Sequence, residues 1–259
     1  KELSKHKFSS FSGLNTLFVA LCNNKEFNAL DFSHLKHTIS GGMALTEAAA
    51  STWQNVTGCQ IQEAYGLTET SPAVSFNPYR DIRIGTIGKV VTGTQVKVIS
   101  EDGTDLGFDQ EGELCVKGPQ VMAGYWQRPE ATAQVLDADG WFKTGDVAIL
   151  AEDGFIRLVD RIKDMINVSG FNVYPNEIDD IASQHSGILE CAAVGIPNSV
   201  SGETVKLFVV KSDSNLTADD VISHCREHLT AYKVPKEVEF RDDLPKTNVG
   251  KILRRALRE

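Results

Sequence analysis

The chain has no cysteine pair at C-x-x-C spacing. Its five cysteines (Cys22, Cys59, Cys115, Cys191, Cys225) and six histidines lie scattered through 259 residues. That excludes a disulfide framework or a zinc site as the organising feature, and predicts reduced, buried thiols in a cytoplasmic protein. Long apolar runs are missing too: a stretch such as Leu14 to Cys22 is too short to span a bilayer. No signal-peptide pattern is visible. Nor is there an excess of positive charge. Lys and Arg number 26 against 35 Asp and Glu, a formal net charge of -9, which is the wrong sign for a nucleic-acid binder. A small anionic ligand held by a few local cations is still compatible with that balance. The pattern G-x-x-x-x-G-K-[ST] does not occur, so the Walker type of phosphate loop is absent. No internal repeat or low-complexity segment stands out. The first residue is Lys1 rather than Met, which predicts a piece of a longer protein.

What the sequence does have is ordinary for a soluble globular protein: 41% hydrophobic residues, 24% charged residues and 21 glycines. The length suffices for one large or two modest domains. Apolar residues at Phe11, Leu14, Leu17, Phe18 and Leu21 predict a helix from Phe11 to Cys22. A strand at Leu35 to Ile39, the turn Ser40-Gly41-Gly42, a helix capped by Thr46 and a strand at Gln60 to Tyr65 read as α/β organisation. From Arg83 short β-rich runs are split by Asp102-Gly103, Asp139-Gly140 and Asp153-Gly154, which predicts an antiparallel or distorted barrel-like region. The last third reads as a small α+β unit. Its helices begin at Pro175 and after Thr217, its strands lie at Leu189–Ile196 and Thr204–Val210, and a basic helix runs from about Val249 to Leu257.

Between these regions runs Val159-Asp160-Arg161-Ile162-Lys163-Asp164-Met165-Ile166-Asn167-Val168-Ser169-Gly170-Phe171. It reads as strand, charged corner, strand and a Ser-Gly break. Such a corner is either a solvated hairpin tip or a joint between lobes. Three further stretches could carry chemistry. In Ala64-Tyr65-Gly66-Leu67-Thr68-Glu69-Thr70 the aromatic could stack a base, Thr68 could bond a phosphate and Glu69 could hold Mg²⁺ through hard oxygen. The plainer reading is a polar loop with a half-buried tyrosine. In Trp141-Phe142-Lys143-Thr144-Gly145-Asp146, a carboxylate after a Thr-Gly turn could accept two ribose hydroxyls, or could cap its own turn. In Pro245-Lys246-Thr247-Asn248-Val249-Gly250-Lys251, Gly250 permits close approach and Lys251 offers a compact charge to a carboxylate or phosphate. Arg254, Arg255 and Arg258 beyond it read as a solvated helix face.

Taken together and in order, these stretches resemble the core motifs of the adenylate-forming enzymes. That superfamily holds acyl-CoA synthetases, peptide-synthetase adenylation domains and luciferases. The matching set is Ser40-Gly41-Gly42, Tyr65 to Glu69, Gly112-Glu113-Leu114 with Gly118 and Gly124-Tyr125-Trp126, Thr144-Gly145-Asp146, Asp160-Arg161 with Lys163-Asp164 and Ser169-Gly170, Pro175 with Glu177-Ile178, and Pro245-Lys246-Thr247 with Gly250-Lys251. The runs Gly112 to Pro129, Val168 to Ile178 and Phe240 to Arg255 look most like the bacterial long-chain fatty acid–CoA ligases.

The resemblance implies ATP-dependent conversion of a fatty carboxylate to acyl-AMP, then thioester formation with coenzyme A, with AMP and pyrophosphate released. Tyr65 and Gly66 would lie at the adenine, Thr68 at the α-phosphate, Glu69 on Mg²⁺, and Gly41 and Gly42 along the adenine and acyl-carboxylate side. Asp146 would take the ribose hydroxyls, and Arg161 would also reach the ribose or phosphate. Lys251 would bridge the carboxylate and the α-phosphate, Lys163 would be the hinge, and Ser169-Gly170 would line the pantetheine path. The implied fold is an α/β portion (1–78) and a β-rich subdomain (79–162) of a large adenylation domain, followed by an α+β lid (163–259). The family's Ser/Thr/Gly-rich phosphate loop has no counterpart here, nor does most of the acyl pocket, so a C-terminal fragment inactive by itself is expected. Two alternatives stay open: activation of an amino or aryl acid, and a non-catalytic binding fragment. The basic end of the chain is compatible with peripheral contact at an anionic membrane surface.

Overall fold

The computed structural model describes residues 2–248 and 250–258. In its first part the chain forms β1 (Ser10–Gly13), α1 (Asn15–Cys22), α2 (Lys25–Asn28), β2 (His37–Gly41), α3 (Glu47–Thr57), β3 (Ile61–Gly66), β4 (Ala73–Phe76) and β5 (Lys89–Val90). The middle holds β6 (Gln95–Ile99), β7 (Glu111–Lys117), α4 (Pro129–Val135), β8 (Phe142–Leu150) and β9 (Ile156–Arg161). The remainder holds β10 (Ile166–Val168), β11 (Phe171–Val173), α5 (Pro175–Ser183), β12 (Ile188–Asn198), β13 (Gly202–Lys211), α6 (Ala218–His228) and β14 (Glu237–Phe240). Two compact units result. One takes the residues up to Gly13, Asp31–Gly42 and Gly58–Ile162; the other takes Leu14–Leu30, Met43–Thr57 and the chain from Lys163 onward.

The first unit contains two sheets. One runs β1-β2-β3-β4-β5, parallel through β1, β2 and β3 and antiparallel beyond. The other is an open four-stranded antiparallel sheet, β6-β7-β8-β9. Of the two expected forms, antiparallel or distorted barrel-like, the described residues form the antiparallel one, with β6 and β9 at the edges of this sheet. The Asp-Gly pairs do make the turns that the sequence predicts, with Gly103, Gly140 and Gly154 all at positive φ. Val74, Ile87, Leu114, Val116, Ala148 and Ile156 form a core against which Tyr65 packs from one side.

In the second unit, β11-β10-β13-β12 form a mixed sheet with β14 parallel to β13. Ile166, Val173, Ile178, Ala193, Val205, Leu207, Val221 and Cys225 belong to its core. Pro175 opens α5 where its missing N–H costs nothing. Thr217 and Asp220 form a reciprocal capping box at α6: the Asp220 N–H donates to the threonine hydroxyl, and the Thr217 N–H donates to the aspartate. Trp53 of α3 is fully buried against Phe18 of α1, with ring centres 4.8 Å apart and nearly edge-on. All five cysteines are buried and none is in a disulfide, and burial pushes the Cys115 and Cys225 thiols up to about 11.

Two predicted helices differ from the structure. The helix expected from Phe11 is a short strand to Gly13 followed by α1 from Asn15, because Ser10–Gly13 pairs with His37–Ser40 of β2. Tertiary pairing overrides the helical spacing there. The expected basic helix begins at Val249, outside the described residues. From Gly250 on there is a bridge between Lys246 and Ile252 and a single 3-10 turn, Arg254–Leu257. No described helix is long and apolar enough to cross a membrane.

Candidate active site

Gly66 ends β3 where the backbone doubles back on itself. A Cβ built there would stand 1.7 Å from the Pro72 carbonyl oxygen, so only glycine fits. The returning loop is closed by Leu67 N–H donating to that oxygen at 3.0 Å. Thr70 secures it further: its hydroxyl donates to Pro72 O at 2.7 Å and accepts from Leu67 N–H at 2.9 Å. Gly66→Ala is expected to abolish soluble expression or lower the melting temperature sharply, since backbone rather than a movable side chain is in the way. Thermal denaturation of the variant checks it, and an unchanged melting temperature would refute the packing argument.

The tight turn aims Tyr65 at Asp146. The phenol donates to the Asp146 carboxylate, and Arg161 Nε lies 3.4 Å from the other carboxylate oxygen. Asp146 is buried. Burial first, and then the negative charge of Asp146, hold the Tyr65 phenol far above the ordinary tyrosine value. The expected Thr-Gly turn before Asp146 is instead a bulge inside β8. Pairing jumps from Cys115–Lys143 to Glu113–Val147, so Leu114 faces the extra residues Thr144, Gly145 and Asp146. Gly145 takes φ 72° and donates its N–H to Glu113 at 3.0 Å. Thr144 donates to Leu114 O at 2.8 Å and accepts from Asp146 N–H at 3.1 Å. The bulge thus rotates the carboxylate out of the sheet, and register places Arg161 of β9 directly across from it.

Thr68 and Glu69 sit on the single 3-10 turn Thr68–Thr70 beyond Gly66, with Thr68 exposed. Tyr125 donates its hydroxyl to Glu69 Oε1 at 2.8 Å, and Met122 N–H holds the Glu69 carbonyl at 2.8 Å. Burial and the neighbouring carboxylate both raise the Tyr125 phenol. Gly41 closes β2 and Gly42 follows at φ 92°. Beside them the Ser40 hydroxyl is buried without a hydrogen-bond partner, as is that of Ser75, which stands in register with Tyr65.

Lys163, Ser169, Gly170 and Lys251 belong to the second unit. Lys163 lies in the 3-10 turn Ile162–Asp164. Arg258 secures that turn by donating to the Lys163 carbonyl (3.4 Å) and by pairing with the Asp164 carboxylate (3.2 Å). Ser169 and Gly170 form the exposed two-residue turn between β10 and β11, both at positive φ (54° and 85°). Lys251 ends a hairpin closed by Thr247 N–H donating to Lys251 O at 2.8 Å, with Gly250 at φ 82°. Thr16 donates to the Gly250 carbonyl at 3.0 Å.

The solvated-face reading of the terminal arginines is overturned for Arg254, which is drawn in from solvent, whereas Arg255 and Arg258 are exposed. Arg254 pairs with Asp179 (2.8 Å), and Arg258 with Asp164. Sequence reasoning also missed Tyr125 and Asp179. Tyr125 lies in the Gly124-Tyr125-Trp126 stretch and Asp179 just beyond Ile178, but neither their spacing nor their residue type says which acid or base they meet.

The chain is of the adenylate-forming class. The chain belongs to the AMP-binding enzymes: residues 1–126 match the family's model, "AMP-binding enzyme", and residues 177–251 match the model of its C-terminal domain. It is 58% identical over its whole length to a long-chain-fatty-acid–CoA ligase of Salmonella typhimurium, and 42% identical to one of Bacillus subtilis. The chain spans about half the length of the curated relatives it matches, 46% and 47% respectively. Among solved structures it is similar to the anthranilate CoA ligase AuaEII in complex with anthranoyl-AMP. There the TM-score is 0.92 and the identity 30%, over 98% of this chain and 50% of that one. ATP-bound MatB from Rhodopseudomonas palustris gives 0.90 and 32%, over 99% and 51%.

Proposed function

We propose that this chain supplies the nucleotide-gripping residues and the lid of a long-chain fatty acid–CoA ligase. In this reading the carboxylate attacks the α-phosphorus of ATP, expelling pyrophosphate, and the CoA thiol then displaces AMP from the acyl-adenylate. The observation that carries it is Asp146, buried yet turned out of its sheet by a bulge and flanked by Tyr65 and Arg161. A buried acid presented in this way suits the paired hydroxyls of a ribose. Tyr65 offers its ring to adenine, while Gly41 and Gly42 leave room for backbone to approach the acyl-adenylate. Thr68, exposed beyond the turn, hydrogen-bonds the α-phosphate.

Among the described residues no three His, Cys, Asp or Glu side chains converge as a metal site. A lone carboxylate such as Glu69 nonetheless fits Mg²⁺, which typically takes one or two protein carboxylates and completes its shell with phosphates and water. When bound there, the ion would screen the repulsion between carboxylate and triphosphate. Lys251 places its ammonium between the two anions and stabilises charge developing at the α-phosphate. The same ammonium would occupy the space the thiol needs, so the lid must turn between half-reactions. Lys163 is the pivot in this proposal, and the Ser169–Gly170 turn borders the path of the pantetheine arm.

The test uses the protein at the full length of its relatives, supplied with ATP, CoA and a panel of acids. Hexadecanoate should give AMP, pyrophosphate and the thioester. Turnover of an aryl or amino acid with none of hexadecanoate would reject the long-chain reading. The 259-residue chain alone should release no pyrophosphate.

A further inference from the structure

The hairpin bearing Lys251 is tethered on both sides by ion pairs that the second unit half buries. On the near side, Lys246 reaches Glu190 of β12 at 2.8 Å. On the far side, Arg254 makes a fork of contacts. One terminal nitrogen meets Asp179 Oδ2 at 2.8 Å and Asn176 Oδ1 at 2.7 Å, and the other donates to Ala193 O at 3.0 Å. Asp179 and Asn176 sit one turn apart on α5, so one helix face presents both acceptors. Asp179 also receives Ala193 N–H at 2.7 Å. The side chains of Arg254 and Asp179 are only 16% and 13% exposed.

We propose that Arg254 is a positioning residue for Lys251. Lysine is a point charge on a flexible stem, so where its ammonium can reach depends on where its backbone is held. The bridge Lys246–Ile252 fixes the hairpin's stem. Beyond it Leu253 N–H donates to Pro245 O at 2.8 Å, and the backbone enters a single 3-10 turn, Arg254–Leu257. Arg254 binds that exit to α5 and β12 together. Its planar, multidentate fork is what a lysine at the same place could not reproduce. Freeing the exit lets the hairpin drift, and a displacement of about 1 Å at a reacting group can cost about a hundredfold in rate.

This inference rests on the reading of Lys251 as the adenylation lysine, so the experiment carries Lys251→Ala as its reference. Acid-dependent pyrophosphate–ATP exchange reports the first half-reaction, and thioester formation from pre-made acyl-adenylate reports the second. Both are measured in the full-length enzyme. Arg254→Lys tests the fork. The double variant Arg254→Met with Asp179→Leu removes both charges, so that no unpaired buried charge unfolds the lid.

In the double variant, exchange is expected to fall about ten- to a hundredfold, with thioester formation within about threefold and a protein that still folds, its melting temperature lowered only by the loss of the Ala193 N–H acceptor. Arg254→Lys should show the same split more weakly. Equal losses in both half-reactions, or full exchange activity in the double variant while Lys251→Ala is impaired, overturn the inference alone. Full exchange activity in Lys251→Ala overturns the reading beneath it.

Discussion

Lys251→Ala in the full-length enzyme is expected to lower acyl-adenylate formation by about two to three orders of magnitude, while thioester formation from supplied acyl-adenylate stays near its original rate. The size follows from what a single fixed donor contributes where charge develops in the transition state: its removal typically costs about 10²–10³ in rate. The asymmetry follows from the chemistry. Only the first half-reaction brings two anions together; in the second, a thiol displaces AMP and a cation between carboxylate and phosphate has nothing to bridge. The hairpin geometry supports a precise role for this side chain. Gly250 at positive φ turns the backbone, Thr247 closes the loop across it, and Thr16 holds the Gly250 carbonyl. Lys251→Arg should recover little, because a planar fork does not occupy the volume of a compact ammonium. Parallel measurement of exchange and thioester formation decides the matter, and comparable losses in both would remove Lys251 from the proposed role.

Elements with local rules were legible. Pro175 at a helix start, Thr217 with Asp220 three residues on, and the Asp-Gly turns each carry their instruction within a few residues, and the structure follows them. So does the central corner, where strand, turn, strand and Ser-Gly hairpin fall as the sequence reads. What failed depended on partners distant in sequence. Ser10–Gly13 has helical spacing but finds a parallel strand some thirty residues away. Thr144-Gly145-Asp146 looks like a turn because Thr, Gly and Asp favour turns. Only the pairing of β7 with β8 converts it into a bulge. Arg254 looks like part of a solvated stripe because nothing local reveals Asp179 as its partner. At the candidate site the residue types were readable, whereas the brace around them was not: Tyr125 lies 56 residues from Glu69, and Tyr65 lies 81 from Asp146.

Asp146→Ala is expected to weaken nucleotide binding in the full-length enzyme by about ten- to a hundredfold. A hydrogen bond to a charged group contributes about 1.5–3 kcal/mol, and each 1.4 kcal/mol is about a factor of ten in affinity. Titration of AMP by calorimetry measures it, with undiminished affinity as the refuting result. Asp146→Asn separates charge from shape, and Tyr65 provides the readout. Burial is the larger cause of its raised phenol and the Asp146 charge the next. Neutralising the aspartate should therefore lower the Tyr65 titration only part of the way toward the ordinary value of 10.0. The phenolate band in an alkaline titration reports this directly. The sign for stability follows from proton counting. Above the ordinary tyrosine value the unfolded phenol loses its proton while the folded one keeps it, so stability is full below that pH and falls as pH climbs past it. In Asp146→Asn that decline should keep its slope but end at a lower pH, because the folded phenol then titrates closer to the ordinary value. An unchanged alkaline profile would mean that the phenol answers to burial alone. In that case the contact with Asp146 would serve to orient the carboxylate, with no electrical coupling between the two groups.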